Sequence, residues 1–234
     1  MAAVVRNRFY PVVALVLAAV VLVAFARTYY LRYWFDVPPI TFLLHLHSIA
    51  FTAWVVLFVI QTRLIAKQDY RTHMQLGIAG IALAALVVIF GFATAVVSAS
   101  APRIRGMGMN SQQFVLLPLV AIAFFAILVT AAVLLRKRAQ LHKRLMMLAM
   151  ISVLGPPVAR LMMLTQTTPH FLAIQTAVPA AFIAMCLISD WVKYRIVHPI
   201  YAVGGAILII SWPLRVMIAR TPAWENVGRW LAGM

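Results

Sequence analysis

The stretch "TFLLHLHSIAFTAWVVLFVIQT", residues 41–62, decides the fold. It is apolar along nearly its whole length and long enough to cross a bilayer core, which takes roughly 20 helical residues. It also carries two histidines, His45 and His47, separated by one residue. Comparable apolar runs occur at 10–29, 74–98, 113–135, 145–165, 170–190 and 200–219. The connections between them are short and leave no room for a soluble domain. These runs predict an all-α fold, a polytopic integral membrane bundle of seven transmembrane helices forming one domain over 1–234.

Composition agrees. Hydrophobic residues make up 65% of the chain and charged residues 10%, with a mean hydropathy of +1.00. Soluble domains average about a quarter charged residues. The start, "RNRFYPVVALVLAAVVLVAFA", has the basic lead and the Ala24-Phe25-Ala26 pattern of a secretory signal. Its apolar stretch is at or beyond the upper limit for a signal, so it is read as a retained first helix.

Basic residues give an orientation. Arg6 and Arg8 precede the first run, and Arg63, Lys67 and Arg71 separate the second from the third. Arg136, Lys137, Arg138, Lys143 and Arg144 separate the fourth from the fifth, and Lys193 and Arg195 the sixth from the seventh. The opposite side carries fewer: Arg27, Arg32, Arg103, Arg105, Arg220 and Arg229. The positive-inside rule then predicts a cytoplasmic N-terminus and an outside C-terminus. A formal charge of +16 would suggest nucleic acid in a soluble protein. In juxtamembrane loops its natural partners are anionic lipid headgroups, with no nucleic acid.

Several activities lack their residues. The four acids, Asp36, Asp69, Asp190 and Glu225, are expected in loops or at helix ends. That leaves no carboxylate relay of the kind ion-coupled transporters use and no carboxylate-bridged di-iron site. The lysines Lys67, Lys137, Lys143 and Lys193 are expected in loops, so a retinal Schiff base has no partner. No H-E-x-x-H, histidine-box, phosphate-loop or nucleophile-elbow motif occurs. The single cysteine, Cys186, excludes an internal disulfide.

Candidate ligands remain. Thr41, His45, Ser48 and Thr52 share one helical face, while His47 runs with Phe51, Trp54 and Phe58. His45 is therefore the better candidate ligand, and His47 is expected to anchor in lipid or touch another helix. Arg160 and Arg215 lie inside apolar runs, about 22 Å from their basic starts at 1.5 Å per residue. Arg160 shares a face with Ser152 and Pro156, and Arg215 with Gly204 and Ser211. Each demands a partner: Asp36, Glu225, a carbonyl at the Pro156-Pro157 break, or an anionic ligand such as a haem propionate, lipid phosphate or quinone oxygen. Snorkelling to headgroups is the plain alternative. "THMQLGIAG" and "LHKRLMMLA" align as His-x-x-Leu and place His73 and His142 at helix starts, with His198 opening the last run at the same level. Three such imidazoles suit a metal or, more plainly, carbonyls and headgroups. Gly77, Gly80, Ala84 and Gly91 form a small-residue face suited to close packing. The methionines Met146-Met147 and Met162-Met163 read as adaptable filler.

With "YYLRYWFDVPPITFLLHLHSIAFTAWVVLFVIQTRL", "RTHMQLGIAG", "LHKRLMMLA", "VHP" and "TPAW", most of the chain resembles a family of bacterial multi-pass membrane proteins of unknown function. The resemblance implies a common membrane fold and a bacterial cytoplasmic (inner) membrane, and brings no activity. A vaguer similarity is to membrane cytochromes b, in which helix-borne histidines hold haem. No helix here carries two histidines spaced from leaflet to leaflet, which speaks against bis-histidine ligation and leaves a single site near His45 and Arg160. Two functions follow as expectations. One is a non-catalytic accessory subunit packing against partner membrane proteins, lipids or pigments in a respiratory or photosynthetic complex. The other is a haem b- or quinone-binding electron-transport protein using His45, Arg160, Arg215, His73 and His142.

Overall fold

The computed structural model describes residues 8–101 and 106–234. Arg6, Arg103 and Arg105, counted above for orientation, lie outside the described residues. Every regular element among the described residues is helical. Among the described residues seven helices are long and apolar enough to cross a membrane: α1 (Phe9–Tyr30), α2 (Phe42–Ala66), α3 (Tyr70–Ala99), α4 (Ser111–Leu134), α5 (Ala139–Leu164), α6 (Phe171–Tyr194) and α7 (Pro199–Ala219). An eighth, α8 (Pro222–Leu231), is short. The chain forms two compact units, Met1–Val87 and Val88–Met234, and the boundary falls within α3.

In the first unit, α1 buries Val13, Ala14, Leu17, Ala18, Val21 and Ala24, spaced three and four apart as one helical face requires. Its last turn, Ala26–Tyr30, widens to a π-helix. The following Pro38-Pro39 pair cannot continue a helix, and α2 restarts where Thr41 Oγ1 accepts from the Leu44 amide at 3.3 Å. Tyr30 and Thr52 join α1 to α2 through their hydroxyls at 2.8 Å. Gln61 Nε2 donates to the His73 carbonyl at 3.2 Å and ties α2 to α3. Asp69 Oδ1 accepts from the Thr72 amide at 3.1 Å, and this N-terminal cap holds the carboxyl below its usual range.

In the second unit, α4 opens with a reciprocal capping box between Asn110 and Gln113. α5 is the buried centre: 67% of its most apolar stretch is covered, against 17% for α3. It is broken between Ser152 and Gly155, where Pro156 and Pro157 follow and cannot donate backbone hydrogen bonds. Gln175 Nε2 of α6 donates to the Gly155 carbonyl at 3.0 Å and anchors the break. Close approaches lie on α5, α7 and α8: a Cβ on Gly155 would sit 2.9 Å from the Trp212 ring, and one on Gly228 would collide with the Gln112 carbonyl. A Cβ on Gly205 would sit 2.5 Å from Ile183, and one on Gly204 2.7 Å from Leu148. Of the packing face expected on α3, Gly80 would place a Cβ 3.3 Å from Leu57 and Ala84 is buried, while Gly77 has nothing within 4 Å of that position. α8, which the apolar runs do not reveal, starts at Thr221, whose Oγ1 accepts from the Trp224 amide. Trp224 Nε1 donates to the Gln112 carbonyl at 3.2 Å and fixes α8 against the start of α4.

Candidate functional site

Two buried arginines organise the second unit. The first overturns an expectation. Arg144 is not in a loop: α5 begins at Ala139, so Arg144 lies in its second turn and is 2% exposed. Asp190 does not end its helix either, because α6 continues to Tyr194, and Asp190 is also 2% exposed. The spans therefore do contain a buried carboxylate. Arg144 Nε donates to Asp190 Oδ2 at 2.8 Å and Nη2 to Oδ1 at 2.7 Å, a bidentate fork. Nη1 donates to the Gln140 carbonyl at 2.7 Å and to Gln140 Oε1 at 2.9 Å. The rings of Tyr194 and Tyr201 lie 5.5 and 5.7 Å from the guanidinium carbon. Every nitrogen of this guanidinium has an acceptor, and the charge is matched. The cluster clamps α5, α6 and α7 together.

Charge continues around it. Lys143, expected in a loop, lies within α5 and donates from Nζ to the Tyr194 hydroxyl at 3.1 Å. Lys193, also expected in a loop, is in the last turn of α6, 5.3 Å from the same ring. His198 caps α7, its Nδ1 accepting from the Ile200 amide at 3.2 Å. Partial burial, and then the neighbouring Arg144, hold the His198 imidazole below its ordinary pKa.

Arg215 is 3% exposed, in the last turn and a half of α7. Its Nη2 donates to Ser211 Oγ at 2.8 Å, one turn earlier, as the shared face predicts. Phe124 of α4 and Trp212 flank it, their rings 5.3 and 5.1 Å from the guanidinium carbon. Nε and Nη1 are buried and have no hydrogen-bond acceptor among the described residues. Behind Trp212, its ring and Gln175 Oε1 both lie within 4 Å of where a Cβ on Gly155 would sit. Gln175 Oε1 is likewise buried without a donor among the described residues.

The other candidates are distributed as follows. His45, in the first unit, meets the Tyr29 ring edge-on at 5.8 Å. The His47 stripe points inward at Trp54 and Phe58, both buried, with the His47 and Phe51 rings 5.9 Å apart. His73 opens α3, where its carbonyl takes the Gln61 bond. His142 Nδ1 is 2.8 Å from the Ala132 carbonyl, a bond that ties α5 to the end of α4. Arg160 is half-buried in the second half of α5. Glu225, one expected partner for the membrane arginines, pairs with Arg229 at 3.1 Å. Among the described residues no group of three or more His, Cys, Asp or Glu side chains is placed to hold a metal.

No protein-family model, no curated protein and no solved structure matches this chain.

Proposed function

We propose that this chain is a non-catalytic integral membrane subunit that packs against partner membrane proteins, lipids or pigments. In this reading its N-terminus is cytoplasmic, its C-terminus is outside, and it resides in a bacterial inner membrane. The observation that supports it is the exposure of α3, of whose most apolar stretch 17% is covered. Met74, Ile78, Ile81, Ile89 and Phe92 are large, exposed and spaced three, four, seven or eight apart along this helix. That spacing presents one continuous ridge to a neighbouring membrane helix.

The test is photo-crosslinking in native membranes with a benzophenone amino acid at Ile78, Ile81 or Phe92. Exposed Ile188 of α6 and Ile207 of α7 serve as controls. Protein adducts from the α3 positions and none from the controls are expected. Lipid adducts alone at all five positions would remove the subunit reading. The alternative, a haem b- or quinone-binding redox protein, draws support from the open donors of Arg215. A reduced-minus-oxidised visible spectrum of gently purified protein distinguishes haem: a band near one haem per chain favours the redox protein.

A further inference from the structure

Arg215 is a buried cation whose countercharge is missing from its own unit. The second unit contains two side-chain acids, and both are occupied. Asp190 is held by Arg144 at 2.7 Å, and Glu225 by Arg229 at 3.1 Å. An unmatched guanidinium inside a span is costly and by default seeks an opposite charge. The helix macrodipole offsets part of this, since Arg215 lies close to the negative C-terminal end of α7. Ser211 and the two aromatic rings offset a further part. None of these groups supplies an acceptor for Nε and Nη1.

We propose that Arg215, between Phe124 and Trp212, binds an oxyanion: the phosphate or carboxylate of a membrane amphiphile, or the same group free in solution. Three features fit that chemistry. The edge through which Arg144 grips Asp190 is Nε with Nη2. In Arg215 the corresponding Nε is buried without an acceptor among the described residues, and so is Nη1, which leaves two donors for an oxyanion while Nη2 keeps Ser211. The flanking rings exclude water and strengthen the attraction. The depth also fits, because Arg215 is four residues, about 6 Å, from the end of α7. A headgroup phosphate reaches that level without its acyl chains leaving the hydrocarbon. This site is independent of the subunit reading, and either can fail alone.

The test is the thermal unfolding midpoint of the full chain in neutral-detergent micelles. Phosphatidylglycerol, oleate or inorganic phosphate is added separately, with phosphatidylcholine as the control. Binding to the folded state raises the midpoint by mass action. At least one oxyanion is expected to raise it by several degrees over phosphatidylcholine. Arg215→Met loses that rise. Arg215→Lys, which keeps charge but lacks the Nε and Nη1 donors, loses at least half of it. Arg220→Gln, at an exposed arginine beyond the helix, keeps it. If phosphatidylglycerol or oleate alone acts, the source is an amphiphile; if inorganic phosphate acts equally, it is a free anion. No rise with any oxyanion, or the same rise in wild type and both Arg215 variants, overturns the proposal.

Discussion

Arg144 and Arg215 are buried alike, at 2% and 3% exposure, in the same unit, each on a transmembrane helix and each against two aromatic rings. They differ in what receives their protons. Arg144 gives every nitrogen to Asp190 and Gln140, so its positive charge closes within the chain. Arg215 gives one nitrogen to a serine and holds its charge open. The first is a structural clamp, since nothing is left with which to bind. The second has the donors and the charge of a binding residue. Burial of a cation alone does not distinguish these roles; the acceptor inventory does.

The largest effect expected from this contrast is at the clamp. Asp190→Asn leaves Arg144 buried without its countercharge, and breaking such a pair costs about 3–5 kcal/mol. An SDS-unfolding titration followed by far-UV circular dichroism measures the loss. The double variant Arg144→Met with Asp190→Leu should recover most of it, because replacing both ions by apolar side chains is often neutral or stabilising. A loss below about 1 kcal/mol in Asp190→Asn would mean that Arg144 does not depend on this carboxylate.

The reverse sign is expected at Arg215. In neutral detergent without added anions, Arg215→Met removes an unmatched charge and should leave the same titration midpoint unchanged or raised. The upper bound is about 4 kcal/mol, the largest gain seen where buried ionic groups give way to apolar ones. Arg144→Met alone should lower the midpoint, since it strands Asp190. Equal losses in the two methionine variants would erase the distinction between clamp and open site.

The spans were legible because apolar length is a property of consecutive residues. The second helix, expected at 41–62, runs Phe42–Ala66, and the seventh, expected at 200–219, runs Pro199–Ala219. The clamp was not legible in the same way, because its partners are 46 residues apart and each lies at the margin of the apolar run that marks its helix, Arg144 just before one and Asp190 at the last position of the other. Helices continue past their apolar stretches while a neighbour still covers them, so charged residues at the margin are easily assigned to loops. A signal was present nonetheless. Arg144 shares a helical face with Leu148 and Ile151, and Asp190 one with Ile183 and Cys186, all six buried. A charge in phase with a buried stripe requires an opposite charge in phase with another. α8 escaped for a different reason: its polar residues interrupt any apolar run, and its start is marked only locally, by the N-cap Thr221, Pro222 at the first position and Glu225 in the first turn. Arg215, by contrast, was conspicuous from its position inside an apolar run, and the face it shares with Ser211 followed from spacing, although Ser211 was not among its expected partners.

The smallest effect expected tests how far the clamp's charge is felt. His198 caps α7 by accepting at Nδ1, which only the neutral imidazole can do; partial burial first, and then Arg144, disfavour protonation. Its folded-state pKa is thus below the unfolded value of 6.5. Between those two values the unfolded chain binds more protons than the folded one, so stability rises with pH through this window. The contribution is complete above the unfolded value, declines as pH falls below it, and levels off under the folded value. Thermal midpoints from about pH 7 down to about pH 5 should therefore show a decline in wild type. His198→Asn, which retains an N-cap acceptor but does not titrate, should lack that part of the decline. An unchanged pH profile in the variant would mean that neither burial nor the neighbouring Arg144 holds the imidazole neutral at the cap of α7.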